Sequence, residues 1–568
     1  MIVFARGLSL SVGIKVGALA FVAAIIIFLL SISIYRLFFH PYARYPGPFL
    51  AKLTSWYSVY HTYIGDLHTD VYECHCKYGD IIRYGPDRIV INTVPAWKAI
   101  YGHGSNVAKS KAYLRMSLVP GAHNTIGTLD DHKHGKKRRI LKQGLSDAQI
   151  RTMDFELRSA ALNFAEQLGE EHDRFAHAGK NDGAAAQPSY HDGWSGPKNM
   201  AHWCDFFAFD VMSHIVFGMS YNLLRSAENH WIVECVMGQM RRFSFLMQLP
   251  ELEDMGLHRF LFPEARRKAL RFVQKSREIM EARRTRSEKD GSATFDVFTK
   301  LLAARDAQTG YGLDQRQLWA ESNLLIVAGS DTSSAGLAAI FFYLSANPQA
   351  YDRAAAEVRS VFPTPEAVAQ GPKLSSCTYL RACVQEALRM SPPAGGPMWR
   401  EALPGGLRLP RPGGPLEAGR GTWLTRWWKQ KQELADLFVP AGLEVASGIY
   451  ALNHNAAHFP DPMVYRPERW LSAEGDEDQV ARAKAAFATF STGPRNCVGQ
   501  GLAVVEIMMA IAAVMAGYDF RRATDRRLAA VGESQGSVFA GQYLTKWSFT
   551  SIKDGPYLEF KRTLRTTG

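Results

Sequence analysis

Apolar residues in this chain fall into runs of two kinds. Residues 16–35 read VGALAFVAAIIIFLLSISIY, without a charge. A helix of that length rises ~30 Å, the thickness of a bilayer's hydrocarbon core. A cleaved signal peptide has a shorter apolar region and a small-residue cleavage site, whereas RLFFHPYARYPGP follows here. The run therefore predicts a retained single-span anchor. Arg6 and Lys15 precede it and Arg36, Arg44 and Lys52 follow, so flanking charge barely favours either orientation. Pro41, Pro46, Gly47 and Pro48 predict a stiff, non-helical linker.

The remaining chain has mostly helical texture, with no repeat of 20–50 residues. Residues 314–347, DQRQLWAESNLLIVAGSDTSSAGLAAIFFYLSAN, lack proline and are apolar nearly all round. They predict a buried helix of roughly 50 Å, stopped by Pro348. Residues 374–390 predict another helix, ended by Pro392 and Pro393. Strand-like pieces at 81–84 and 89–92 flank a turn at Pro86-Asp87. Residues 179–197 read as a polar surface loop. The pattern as a whole is mainly α with a small β part.

Composition narrows the class. Of 568 residues 47% are apolar and 21% charged, as in a globular chain with a large core. A net charge of +12 favours anionic membranes, nucleic acid or acidic protein partners without choosing among them. The seven scattered cysteines do not form a disulfide framework and fit a reducing compartment. Cys74-His75-Cys76 lacks a second Cys/His pair at zinc spacing.

Candidate chemistry centres on residues 490–499, FSTGPRNCVG, followed at once by the apolar run GLAVVEIMMAIAAVMAGY. A thiolate is favoured at a helix N-terminus and near cations. Cys497 stands at such a start, with Arg495 two residues before it. Gly493 and Gly499 let backbone approach a flat cofactor, and Phe490 shields one side. An arbitrary buried cysteine is usually a small hydrophobe, and only its loop distinguishes this one.

The loop resembles the cysteine signature of the cytochrome P450 family, Phe-x-x-Gly-x-Arg-x-Cys-x-Gly, at Phe490, Gly493, Arg495, Cys497 and Gly499. The resemblance implies the P450 fold, with haem b bound through its iron to the Cys497 thiolate. Ala328-Gly-Ser-Asp-Thr-Ser333 looks like the family's oxygen-activation motif, with Asp331 and Thr332 passing protons and a local helix widening admitting water. The bland alternative is that the hydroxyls bond carbonyls one turn earlier. Glu386 and Arg389 share a helix face and, with Arg469 of Pro467-Glu-Arg-Trp470, resemble the family's buried ion network.

The basic segment Asp131-His-Lys-His-Gly-Lys-Lys-Arg-Arg139 resembles the helix that binds haem propionates, through His134 and Arg138 one turn apart, although the usual tryptophan is absent at 134. Arg400 falls where another propionate arginine is often found. Lys133, Lys136, Lys137 and Arg139 are then free to face an acidic electron donor.

The likeness implies a fungal microsomal monooxygenase that hydroxylates or epoxidises a lipophilic small molecule in secondary or xenobiotic metabolism. NADPH–cytochrome P450 reductase would supply electrons, with cytochrome b5 as a further donor and no nucleic acid partner. The implied location is the endoplasmic-reticulum membrane, catalytic domain in the cytosol. The expected division is an anchor at 1–35, a linker at 36–48 and a catalytic domain at 49–568. Residues 445–471 look most like benzoate-hydroxylase-like and trichothecene-hydroxylase-like members. A haem-thiolate isomerase or dehydratase would share the haem motifs without needing Asp331 and Thr332. The chain departs from the family at 410–437, an addition holding Trp423, Trp427 and Trp428. An interfacial membrane contact and translated intron sequence both account for it.

Overall fold

The computed structural model describes residues 2–117, 119–170, 193–290, 296–410, 437–472, 476–534 and 539–563, leaving aside the side chains of 2–14 and 286–290. The insertion at 411–436 and most of the predicted loop at 179–197 lie outside these residues. The loop's end is not a surface turn: Ser195 is buried, and its amide donates to the Phe560 carbonyl at 2.7 Å.

Among the described residues, three helices are long and apolar enough to cross a membrane, and burial separates them. The windows in Gln315–Ala346 and Gln500–Gly517 are 78% and 72% buried, whereas that in Lys15–Phe39 is wholly exposed. The first two are core helices. The exposed one belongs to helix Ile2–Ile34, which starts earlier than the charge-free run and ends in a wide turn at Tyr35–Phe39. The linker after it packs down onto the domain. Tyr42 and Tyr45 are buried, and Arg83 donates to the carbonyls of Pro46 and Arg36. A Cβ on Gly47 would lie 2.3 Å from the Arg83 carbonyl oxygen, so only glycine permits this approach.

Gln315–Ala346 begins at a capping box. The Asp314 carboxylate accepts from the Gln317 amide at 2.8 Å, and the Gln317 side chain accepts from the Asp314 amide at 3.0 Å. The helix packs along Met200–Phe217, and Gln500–Gly517 lies against Asp154–Gly169.

The helix expected over 374–390 is two helices, Pro372–Ser376 and Thr378–Met390, broken at Cys377. The break has a tertiary cause. Glu357, from helix Pro348–Val361, accepts from the amides of Tyr379 and Leu380 at 2.9 and 2.8 Å and caps the second helix.

The β part is small. Ile81–Gly85 and Arg88–Ile91 pair antiparallel across Pro86-Asp87, as expected. The sheet continues through Glu444–Ala446 and Arg400–Ala402 to Val107–Lys109. Leu407–Leu409 pairs with Leu437–Val439, matching Leu409 with Leu437. The insertion thus joins two paired strand ends. Leu437 is buried within the second strand and belongs to the fold rather than to the insertion.

Candidate active site

A cavity of about 340 Å³ lies between Gln315–Ala346, helix Asp131–Gly144, the cysteine loop and the tip of the hairpin Thr545–Ser548/Thr550–Lys553. Its lining is mostly apolar. Nine of the ten site residues expected from sequence border it: His134, Arg138, Asp331, Thr332, Arg400, Phe490, Arg495, Cys497 and Gly499.

Gly493 does not border it. This glycine has φ +71°, and a Cβ there would stand 2.0 Å from the Tyr101 carbonyl oxygen. It lets the loop pass another backbone, not a cofactor.

The Cys497 amide donates to the Phe490 carbonyl at 2.9 Å and closes the loop. Helix Gln500–Gly517 then starts at Gly499. Burial pushes the Cys497 thiol up. The amides of Gly499 and Gln500 and the charge of Arg138 oppose that shift without cancelling it. The thiolate expected from the helix start is therefore not held by the protein alone. The cation beside the sulfur is Arg138, not Arg495. Arg495 is turned to the Thr128 and Leu129 carbonyls, at 2.8 and 2.7 Å, and to Asp131 at 2.6 Å. Arg138 donates to the Asn496 carbonyl at 2.6 Å and to its side-chain oxygen.

One wall of the cavity is a basin of positive charge. The His134 pKa is lowered to about 3 by burial and then by Arg495, Lys109, Arg138 and Arg400, so the imidazole is neutral. Arg400 donates to the Trp399 carbonyl at 3.0 Å and lies over the Tyr101 ring at 4.8 Å. Lys109 donates to the Ile126 carbonyl at 3.0 Å, with its ammonium 4.4 Å from the Tyr113 ring centre. Burial, then Arg400 and Arg495, push its pKa well down. Among the described residues, neither Arg400 nor Lys109 forms a salt bridge. Lys109 was missed in the sequence because a lysine in a short strand looks like a solvated one.

The basic face expected for an electron donor is smaller than its sequence suggests. Lys137 is buried, donating to the His123 carbonyl and pairing with Glu321 at 3.3 Å. Arg139 is taken by Asp306 at 2.5 and 3.0 Å. Lys133 is exposed and Lys136 half-buried.

The acid and alcohol of the central helix take different partners. The Thr332 hydroxyl donates to the Ala328 carbonyl at 2.7 Å, one turn earlier. The helix stays α throughout, so the expected widening is absent. The Asp331 carboxylate accepts from Thr550. Its pKa is raised to about 6: burial raises it, and Lys553 and Thr550 hold it back. A second acid lies nearby. Glu506, the lone carboxyl in the apolar run after the cysteine, accepts from Ser333 at 3.0 Å, and burial pushes it to about 8. Its Oε1 is buried without a partner at the cavity wall. Its isolation in that run was the signal that could have found it.

Behind the loop stands the expected ion network. Glu386 accepts from Arg389 twice at 2.9 Å, from Arg469 at 2.8 Å and from the Trp470 indole at 3.0 Å. Burial would raise its pKa, but Arg389 and Arg469 outweigh that and hold it low. Asn453 carries the network to the loop. Its carbonyl accepts from Arg389 at 2.9 Å, its side-chain oxygen accepts from the Ala488 amide at 2.9 Å, and its side-chain amide donates to the Thr489 hydroxyl at 3.0 Å.

A sequence model of the family described as Cytochrome P450 matches residues 46–403 and 421–539. The chain belongs to the cytochrome P450 family. Cytochrome P450 monooxygenase apf7 of Gibberella fujikuroi is 57% identical over 536 residues, 94% of this chain and 95% of that protein. AKT7 of Alternaria alternata is 35% identical over 549 residues, 95% of this chain and 97% of the other. The relative atnE of Emericella nidulans is 35% identical over 530 residues, 93% of each. All three are named cytochrome P450 monooxygenases, and none of these names mentions benzoate or a trichothecene. This P450 is a monooxygenase, and the isomerase or dehydratase alternative gives way to it. The family's cofactor is haem with a thiolate-ligated iron. The donor set of this cavity fits such a group: a thiol enclosed by the surrounding chain but open to the cavity, apolar walls, and cations outside any salt bridge for a flat molecule bearing two carboxylates.

Proposed function

We propose that Cys497 is the axial ligand of haem b in a membrane-bound monooxygenase acting on a lipophilic small molecule. One observation carries this reading: Cys497, the positive basin and the acid–alcohol pair all border one mostly apolar cavity. The Cys497 sulfur would hold the iron as a thiolate, with the Gly499 and Gln500 amides already aimed at it. Arg138 and Arg400, with Lys109 added, would hold the two carboxylates beside the neutral His134, and Arg495 would add its charge from its pair with Asp131. Phe490 covers the sulfur side, Gly499 starts the helix, and Gly493 shapes the loop.

Bound there, the haem supplies dioxygen activation, tuned by its thiolate. The chain's part is to exclude water with apolar walls, aim the substrate, and move protons. Asp331, with its pKa raised to about 6 and so close to neutral pH, is suited to gain and release one at the cavity wall. Thr332 presents a hydroxyl fixed by the Ala328 carbonyl.

Residues 1–35 serve as a single-pass anchor in the endoplasmic reticulum, 36–48 as the lead-in and 49–568 as a cytosolic catalytic domain. NADPH-derived electrons arrive through NADPH–cytochrome P450 reductase, with cytochrome b5 as a second donor. The product is a hydroxylated or epoxidised metabolite of fungal secondary metabolism. The test is the ferrous–carbon monoxide spectrum of purified Cys497→Ala. Loss of the thiolate-type band is expected, and a retained band would sink the assignment.

A further inference from the structure

The site reading leaves unexplained a buried lysine at the far end of the C-terminal hairpin. Lys553 ends strand Thr550–Lys553, and its side chain is 4% exposed. Its ammonium donates to Asp205 at 2.7 Å and to the Ser334 hydroxyl at 2.9 Å. Ser334 in turn donates to Asp205 at 2.5 Å. Asp205 comes from helix Met200–Phe217, and Ser334 lies three residues after Asp331 on the central helix. Thr550, at the head of the same strand, donates to Asp331. The hairpin therefore grips the central helix at two points, with Asp331 at the cavity end and an ion pair at the buried end.

The charges do not balance when every group is ionised. Two carboxyls, Asp205 and Asp331, face one cation, Lys553. Asp205 takes the direct contact with it. Among the described residues, the Asp331 carboxylate has Thr550 as its one hydrogen-bond donor and feels Lys553 across space. Cys204, a buried thiol kept well above its ordinary pKa by burial, adds no charge. Asp331 is thus the swing member of the cluster. When protonated it leaves the cluster neutral, and when ionised it leaves one negative charge beside a lysine.

We propose that the Lys553–Asp205 ion pair is the positioning element that lets Asp331 both hold and release a proton at the cavity wall. Neither residue borders the cavity, so both act through Asp331. The inference rests on the reading of Asp331 as the proton-handling acid. Burial is the largest influence on Asp331 and favours its neutral form. The attraction of Lys553 comes next, and the repulsion of Asp205 is weaker than either. Lys553 itself stays charged against burial because Asp205 and then Asp331 attract it.

The order of these influences predicts an order of variants. Lys553→Met removes the attraction and raises the Asp331 midpoint, strengthening proton binding about tenfold or more. Asp205→Asn removes the repulsion and lowers the midpoint. Lys553→Met/Asp205→Asn removes both, so its midpoint falls between wild type and Lys553→Met. Lys553→Arg keeps the charge and titrates like wild type. The measurement is an infrared pH titration of the protonated carboxyl band in purified haem-loaded enzyme, with the Asp331→Asn spectrum subtracted. It needs neither substrate nor turnover. Should Lys553→Met fail to fold with Asp205 stranded, the double variant has no stranded charge and carries the test. A double variant titrating at the wild-type midpoint overturns the proposal. A wild-type enzyme without a thiolate-type carbon monoxide band strikes the haem reading instead, and the infrared order still decides this one.

Discussion

Replacing Asn453 by alanine tests whether the buried ion network supports the cysteine loop through this side chain. Asn453 is fully buried and makes three side-chain hydrogen bonds. Its amide donates to the Arg389 carbonyl at 3.1 Å and the Thr489 hydroxyl at 3.0 Å, and its oxygen accepts from the Ala488 amide at 2.9 Å. Each such bond is worth about 1 kcal/mol net, and a buried amide left unpaired costs about 1–3 kcal/mol. Thr489 keeps its donation to the Leu388 carbonyl at 2.9 Å, so Ala488 is the group left stranded. The expected loss is about 3–4 kcal/mol. The assay is urea titration of detergent-solubilised enzyme, following the thiolate-type carbon monoxide band, whose midpoint should fall clearly. Thr489→Val should cost about 1 kcal/mol, and the double variant less than the sum, because the two residues share a bond. An Asn453→Ala enzyme within 1 kcal/mol of wild type would refute the idea that the network reaches the loop by this route.

Further outcomes are expected elsewhere. Lys109→Met should lose haem faster than wild type to an apo-myoglobin acceptor; an unchanged rate removes Lys109 from the carboxylate basin. Thr332→Ala should keep haem and ligand-induced spectral shifts but divert NADPH-derived electrons to peroxide, with a positioned proton-transfer group typically worth ~10²–10⁴-fold. Unchanged product per NADPH would leave Thr332 a purely structural residue. Deleting residues 1–35 should release the protein from carbonate-washed membranes while full-length protein stays; equal release of both would deny the anchor. Replacing residues 410–436 by Asn-Gly keeps Leu437 in its strand and closes the Leu409–Leu437 pair with a two-residue turn. The thiolate haem spectrum should survive, and its loss would show that the replaced residues pack into the fold.

What the sequence determined by itself was whatever its local pattern states. The proline-free run 314–347 marks a long helix and Pro348 its stop because both are features of the local chain. A charge-free stretch marks a candidate span by length and polarity, and burial then separates it from the two core helices. The cysteine loop, the acid–alcohol pair and the Glu386–Arg389 pair were legible because each is short and spaced to meet, whereas Arg469 was named only through the family resemblance. Whatever depends on a partner far along the chain was decided only by the tertiary structure. Glu357 breaks a helix that 374–390 would otherwise form, from another helix. Gly493 is a glycine because of Tyr101, and Lys137 leaves the basic face because Glu321 waits in the core. Burial raises the Asp331 pKa, and Lys553 and Thr550, more than two hundred residues on, hold it back. Burial is also a collective property. It pushed the Cys497 thiol up where the helix start alone argues for a thiolate, because removal from water outweighs two amides and one arginine.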